Sequence, residues 1–205
     1  IGSGVSATTG GNMNYVDLLV AGALTLNGGS NTAYGNAAIG SRYDAVDLAI
    51  VANNLQMSAA SGGDARIGTT YGGTSAVAVT TAGNIALTSG SSGGSTRIGI
   101  GTGMGSVSLL SSGGDISTSA GSVIYGGCVI LTTSTGDILS QGSLDAANSD
   151  LEVYSARDAT LAGMTAGSDI VVSAGRDLSL SGSASAPGGG IQLSAGSSYG
   201  GNVGL

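Results

Sequence analysis

The sequence predicts an all-β chain wound as a parallel β-helix, a β-solenoid of about eight coils with three short strands per coil and no significant helix. Three observations carry this expectation. A short phrase of turn, then Asn or Asp, then an aliphatic strand opener returns along the chain. Apolar and small residues alternate with a period of two, the mark of half-buried strands. No segment carries a 3.6-residue apolar stripe.

The repeated phrase places the second strand of each coil. It reads Gly22-Ala23-Leu24, Asn53-Asn54-Leu55, Gly83-Asn84-Ile85, Gly114-Asp115-Ile116, Gly136-Asp137-Ile138, Arg157-Asp158-Ala159 and Arg176-Asp177-Leu178. The aliphatic positions are 31, 30, 31, 22, 21 and 19 residues apart. One solenoid over 1–205 is therefore expected, with longer coils in 1–105 and shorter ones in 106–205.

The first strands read Val16-Asp17-Leu18, Val46-Asp47-Leu48, Val77-Ala78-Val79, Val107-Ser108-Leu109, Val129-Ile130-Leu131, Leu151-Glu152-Val153, Ile170-Val171-Val172 and Ile191-Gln192-Leu193. A third strand is clearest at Ala38-Ile39-Gly40, Arg66-Ile67-Gly68 and Arg97-Ile98-Gly99, with weaker counterparts at Val123-Ile124, Leu144 and Met164. The stretches Ser58 to Gly63 and Ser89 to Gly94 read as loops bulging from one edge, or as an extra side to the coil. The expected core is a stack of Leu24, Leu55, Ile85, Ile116, Ile138 and Leu178, with Val16, Val77, Leu151 and Ile170 near a second column.

Asn and Asp suit the corner, because they tolerate the left-handed conformation and bond to nearby backbone. Stacking the coils puts Asn54, Asn84, Asp115, Asp137, Asp158 and Asp177 above one another. Four successive carboxylates repel, and Arg157 and Arg176 stand beside the last two to offset this. A cation such as Ca2+ held by Asp115 and Asp137 is the alternative to pure turn chemistry. Calcium takes about six to eight oxygen ligands, and the nonapeptide of calcium-binding β-rolls does not occur.

Composition narrows the partners. The chain of 205 residues has 40 Gly, no Trp, Phe or His, and a net charge of −7. All five basic residues are Arg and the one Glu is Glu152. The acidic balance disfavours nucleic acid and anionic membrane surfaces. No apolar run reaches the roughly 18 residues of a membrane span. No leader peptide is read at the start, and the first residue is not Met, so a processed or excised segment is expected. The lone Cys128 offers neither a disulfide framework nor a metal motif and is expected to be a small core or turn residue.

The segments Gly167-Ser168-Asp169-Ile170-Val171-Val172-Ser173-Ala174-Gly175-Arg176-Asp177-Leu178-Ser179-Leu180 and Gly136-Asp137-Ile138-Leu139-Ser140 resemble the repeats of filamentous-haemagglutinin-type adhesins. The resemblance covers roughly 106–196 and implies a right-handed parallel β-helix on a secreted, surface-exposed protein. The longer Gly/Ser-rich coils also resemble segments of large extracellular proteins.

Catalysis is not expected. Glycoside hydrolysis uses two carboxyl groups about 5–9.5 Å apart, and Asp17 with Asp47, or Asp115 with Asp137, are the pairs on offer. Neither has a neighbouring His, Lys or aromatic platform. The seven Tyr, at 15, 34, 43, 71, 125, 154 and 199, read as corner or surface residues. A Ser/His/Asp triad needs the His that the chain lacks. An ice-binding face would need ranks of Thr-x-Thr, and Thr80-Thr81 and Thr132-Thr133 do not form a long one.

The opening Ile1-Gly2-Ser3-Gly4 matches the third-strand phrase, and the closing Gly201-Asn202-Val203-Gly204-Leu205 matches the second-strand phrase. Head-to-tail self-association, or continuation in a longer chain, is the expected outcome, since an open heterologous contact propagates. The expected function is an extracellular or cell-surface structural solenoid, building a filament, fibre or stalk. The alternative is an adhesin segment that binds glycan or a surface receptor.

Overall fold

The structure is a computed structural model that describes residues 14–29, 36–41, 44–60, 62–69, 75–90, 93–101, 105–196 and 202–204. Its nineteen strands, all joined in parallel pairs, wind as a β-solenoid with three faces and no helix among the described residues.

The first face stacks the opening halves of Asn14–Gly28 and Val46–Ala59 with Ala76–Thr81, Ser106–Ser111, Cys128–Thr133, Leu151–Ser155, Ile170–Ala174 and Ile191–Ala195. The second face stacks the closing halves of the same first two strands with Ile85–Thr88, Ile116–Thr118, the start of Ile138–Ala146, the start of Ala159–Ala166, Leu178–Leu180 and Val203–Gly204. The third face runs through Ala37–Ile39, Ala65–Thr69, Thr96–Ile100, Val123–Gly126, the ends of Ile138–Ala146 and Ala159–Ala166, and Ala184–Ser185. At about 4.8 Å per coil, eight coils make a rod roughly 40 Å long.

Each inward position repeats from coil to coil, so the core is a set of aliphatic columns. One reads Leu24, Leu55, Ile85, Ile116, Ile138, Ala159, Leu178 and Val203. A second reads Val16, Leu48, Val77, Val107, Val129, Leu151, Ile170 and Ile191. The third face contributes Ile39, Ile67, Ile98, Ile124, Leu144 and Met164. The inner members of all three are buried. Burying one such side chain contributes about 1.5–3 kcal/mol, which is how a chain nearly free of large aromatics still holds a core.

The register corrects one reading of the first strands. Val46 lies opposite Asn14, and Val16 opposite Leu48, so the similar triplets Val16-Asp17-Leu18 and Val46-Asp47-Leu48 are offset by two residues. Alternation along the strand does not separate these registers, because a two-residue slip keeps the same residues inward. The first corner also differs from a simple turn. Asn14–Gly28 and Val46–Ala59 bend through it as continuous strands, with an irregularity between Val20 and Ala23 that gives the first coil one extra residue. A matching irregularity falls between Ser140 and Ser143 at the next corner.

Of the Gly/Ser-rich stretches, Ser58 and Ala59 still belong to the strand Val46–Ala59, and residues 61, 91 and 92 lie outside the described residues. Residues 1–4 lie outside the described residues, as do Tyr34, Tyr43, Tyr71, Tyr199, Gly201 and Leu205. The described tyrosines, Tyr15, Tyr125 and Tyr154, stand on strands rather than at corners, and Tyr15 and Tyr154 are exposed, as a surface position requires.

The Ile-Gly phrase of the third strand has a backbone cause. Gly40, Gly68 and Gly99 hold φ of 119°, 118° and 147°. A Cβ on Gly68 would fall 1.9 Å from the Gly99 carbonyl oxygen. Only glycine lets successive coils approach that closely in this conformation.

Candidate functional site

The polar chemistry of the molecule is concentrated at its corners. At the corner before the second face, each side-chain oxygen accepts the backbone N–H of the residue one coil on. Asn54 Oδ1 accepts from Asn84 at 2.8 Å, Asn84 from Asp115 at 2.8 Å, Asp115 from Asp137 at 2.8 Å and Asp137 from Asp158 at 2.9 Å. Asp158 and Asp177 continue the ladder to Asp177 and Asn202 at 3.2 and 3.1 Å. In the first coil Ala23 takes the ladder position opposite Asn54, and the Asn53 amide donates to the Ala21 carbonyl at 2.8 Å.

The arginines do not pair with their sequence neighbours. Arg157 reaches back one coil to Asp137, with Nε 3.0 Å from Oδ1 and Nη2 on Oδ2. Arg176 does the same to Asp158, at 3.0 and 2.7 Å. Nη2 of each also lies 3.9 and 3.8 Å from the carboxylate one coil further back. The Arg157 guanidinium and the Asp158 N–H hold the Asp137 carboxyl below its ordinary pKa, against a smaller opposing effect of burial.

Asp115 and Asp137 are thus stacked on adjacent coils, as the sequence suggests. Both Asp137 oxygens are engaged by Arg157 and the Asp158 N–H, and Asp115 Oδ1 by the Asp137 N–H. Among the described residues no three His, Cys, Asp or Glu side chains gather as a metal cluster.

Asp17 and Asp47 are not opposite each other. Asp17 faces Ala49 and Asp47 faces Tyr15. The Tyr15 hydroxyl donates to Asp17 Oδ1 at 2.8 Å, and that bond with the Asp17 charge raises the phenol pKa. Asp47 Oδ1 accepts the Ala76 N–H at 2.7 Å. The carboxylates that sequence offers for acid–base work therefore serve as local acceptors.

Two further ladders were not singled out in the sequence. Asn36 Oδ1 accepts the Asp64 N–H at 2.9 Å, and Asp64 Oδ1 accepts from Ser95 N–H and Oγ at 2.9 and 3.0 Å. At the third corner Asp150 accepts from Asp169 at 3.1 Å, and Asp169 from Gly190 at 2.6 Å. The second signal was visible: Ser149-Asp150-Leu151 and Ser168-Asp169-Ile170 are the same turn-Asp-aliphatic phrase, standing before the first face. Inside the first corner, Thr81, Ser111, Thr133 and Ser155 form a buried hydroxyl column that satisfies the Gly83, Gly136 and Asp158 carbonyls.

Cys128 is half-buried at the start of a first-face strand and forms no disulfide among the described residues. Burial, then the charges of Glu152 and Asp150, push its thiol pKa up, so it stays protonated at neutral pH.

A groove on the third face is lined by Asn36, Ala37, Ala38, Asp64, Arg66, Ser95 and Arg97. Its volume of about 270 Å³ falls just under the roughly 300–1,000 Å³ of drug-sized ligand sites.

No family model matches the chain, and no curated protein or solved structure matches it either. The likeness to filamentous-haemagglutinin repeats therefore rests on the quoted segments alone.

Proposed function

We propose that this chain is a structural solenoid of an extracellular or cell-surface filament, fibre or stalk, extended by stacking further coils on its own. The observation that carries this reading is the unbroken stacking of the coils, whose apolar column keeps one register through Leu24, Leu55, Ile85, Ile116, Ile138, Ala159, Leu178 and Val203. A parallel stack of this kind is extended by any further coil that pairs with its strand edge and covers its apolar columns, from a second copy packed head to tail or from additional chain. The rest of the molecule suits a passive rod. Its ladders tie carboxylates to backbone and arginine, leaving stiffness rather than turnover as the product of the arrangement. This reading includes no enzyme activity and no required metal.

The experiment is negative-stain electron microscopy with sedimentation velocity on the purified chain, before and after a calcium chelator. Uniform fibres that Val203→Asp or Ile191→Asp shortens, with an unchanged circular dichroism spectrum, support head-to-tail stacking. Short monodisperse rods at all concentrations reject self-assembly and leave covalent continuation. Loss of fibres on chelation would move Asp115 and Asp137 from turn chemistry to a calcium site.

The adhesin segment is the second reading, and the arginine-lined groove of the third face favours it. Ice binding and polysaccharide cleavage stand below both, because the sequence offers no long Thr rank and the two carboxylate pairs it offers, Asp17 with Asp47 and Asp115 with Asp137, are engaged in local hydrogen bonds.

A further inference from the structure

The outward side of the first face is apolar where a lone rod has no use for it. Strand residues alternate inward and outward, so two outward columns run along this face. Through its middle coils one column reads Ala49, Ala78, Ser108 and Ile130. The other reads Val51, Thr80, Leu110 and Thr132. Neither holds a charge over these four coils. The charges stand around them. Asp17 and Glu152 close the first column one coil beyond either end, and Asp47 lies at its side.

Solvent reaches this patch in the body of the rod. Val51 is 47% exposed and Tyr154 38%, although each has a paired strand on both sides. Leu110 and Ile130 are half-buried by their neighbours in the columns. The second face is built differently, with Leu139 set between Ser117 and Thr160.

We propose that this side of the first face is a lateral interface between two copies of the chain, packed sheet on sheet. Sheets pack face to face about 10 Å apart with their side chains interdigitated. Six-residue strands such as Ala76–Thr81 and Cys128–Thr133, stacked through eight coils, make a face of roughly 20 Å by 40 Å. That is about 800 Å² per copy, the amount a stable interface of standard size buries from each partner. The layout also fits, since interfaces place apolar residues at the centre and charge at the rim. Charge selects a second copy by this route. Two chains of net charge −7 repel, and like charges brought together across an interface cost affinity. An isologous contact over the uncharged patch keeps the carboxylates of both copies at its rim. The pairing does not rest on end-to-end growth, and a rod that never lengthens would still carry it.

The test is sedimentation equilibrium of the whole chain over a concentration series, with negative-stain images of the same samples. A closed species of two chains is expected, seen as rods of doubled width and unchanged length. Leu110→Asp puts a carboxylate in the middle of each patch and should weaken pairing about tenfold or more. Val51→Asp, at a more exposed position, carries the same expectation should Leu110→Asp unfold the rod. Leu139→Asp adds the same charge on the second face and should leave pairing within about twofold. High salt screens the rim carboxylates, so pairing should hold or tighten there. Equal losses in the first-face and second-face variants would reduce the effect to net charge and overturn the interface. Pairs that dissolve in high salt would assign the contact to ionic groups and overturn it too. A parent chain that stays monomeric at every concentration, or grows in length and never in width, would overturn the second copy as the occupant. Matching thermal unfolding of parent and variants guards against misfolding as the cause.

Discussion

Arg157 forks onto Asp137 of the preceding coil and not onto Asp158, its neighbour in the chain. Asp137 lies beneath Asp158 and Gly136 beneath Arg157, so the long arginine side chain reaches diagonally down one coil, while the Asp158 carboxylate is turned toward the Asp177 N–H and Arg176 of the coil that follows. The pair is half-exposed, so solvent and salt screen it and its contribution is small.

Acid should therefore act through Asp137. Its folded pKa lies below the ordinary value of 3.8, so its contribution is present above the unfolded pKa and is lost as pH falls through the folded one. The melting temperature of the parent chain should drop below about pH 4 more steeply than that of Asp137→Asn, which keeps the acceptor for the Asp158 N–H. Parallel melting curves for the two chains across that window would refute the ion pair as a stabilising contact.

Asp145 runs the other way. Partial burial raises its carboxyl pKa, so its charge opposes folding once ionised. Here stability is greatest with the group protonated and falls as pH rises through the folded pKa. Asp145→Asn should melt higher than the parent at pH 7, and the gain should vanish below the unfolded pKa of about 3.9. A gain that persists unchanged in acid would point to some other cause.

Ile138 and Leu139 are adjacent in sequence and opposite in environment, with exposures of 1% and 41%. Ile138→Ala should cost roughly 2–5 kcal/mol through lost burial and an unfilled cavity. Ile138→Asp should prevent stacking of the coil altogether. Leu139→Asp should change stability by about 0.5 kcal/mol or less. Urea titrations of the three variants check the assignment, and a costly Leu139 variant would sink it.

Gly68 and Gly22 make a second contrast. Gly68→Ala meets the Gly99 carbonyl and a φ of 118°, so a loss of roughly 1–3 kcal/mol or more is expected. A Cβ on Gly22 meets nothing within 4 Å, and Ala there should be neutral or stabilising by a few tenths of a kcal/mol. Thermal melts decide between them, and equal effects would contradict the close approach of coils at the third face.

Much of the architecture was legible because each coil repeats its own chemistry. Leu24, Leu55, Ile85, Ile116, Ile138 and Leu178 announced their column through the Asn or Asp before most of them, and even the weak third strands at Val123, Leu144 and Met164 were readable by position. The candidate site was less legible. The Asp17 and Asp47 triplets look equivalent, yet pairing slides them two residues apart, since a period-2 pattern gives the same inward face in either register. The corner role of Asp150 and Asp169 was hidden by the stronger signal of the parallel ladder.

The sequence by itself determined the solenoid, its strands and its aliphatic columns, because these depend on local alternation and on a repeat that recurs in the chain. Only the tertiary structure decided which charges meet. Arg157 with Asp137, and Asp17 opposite Ala49 with the Tyr15 hydroxyl on its carboxylate, depend on coil register and on how the corners are built. Those are set by packing summed over whole coils, which no short stretch of sequence contains.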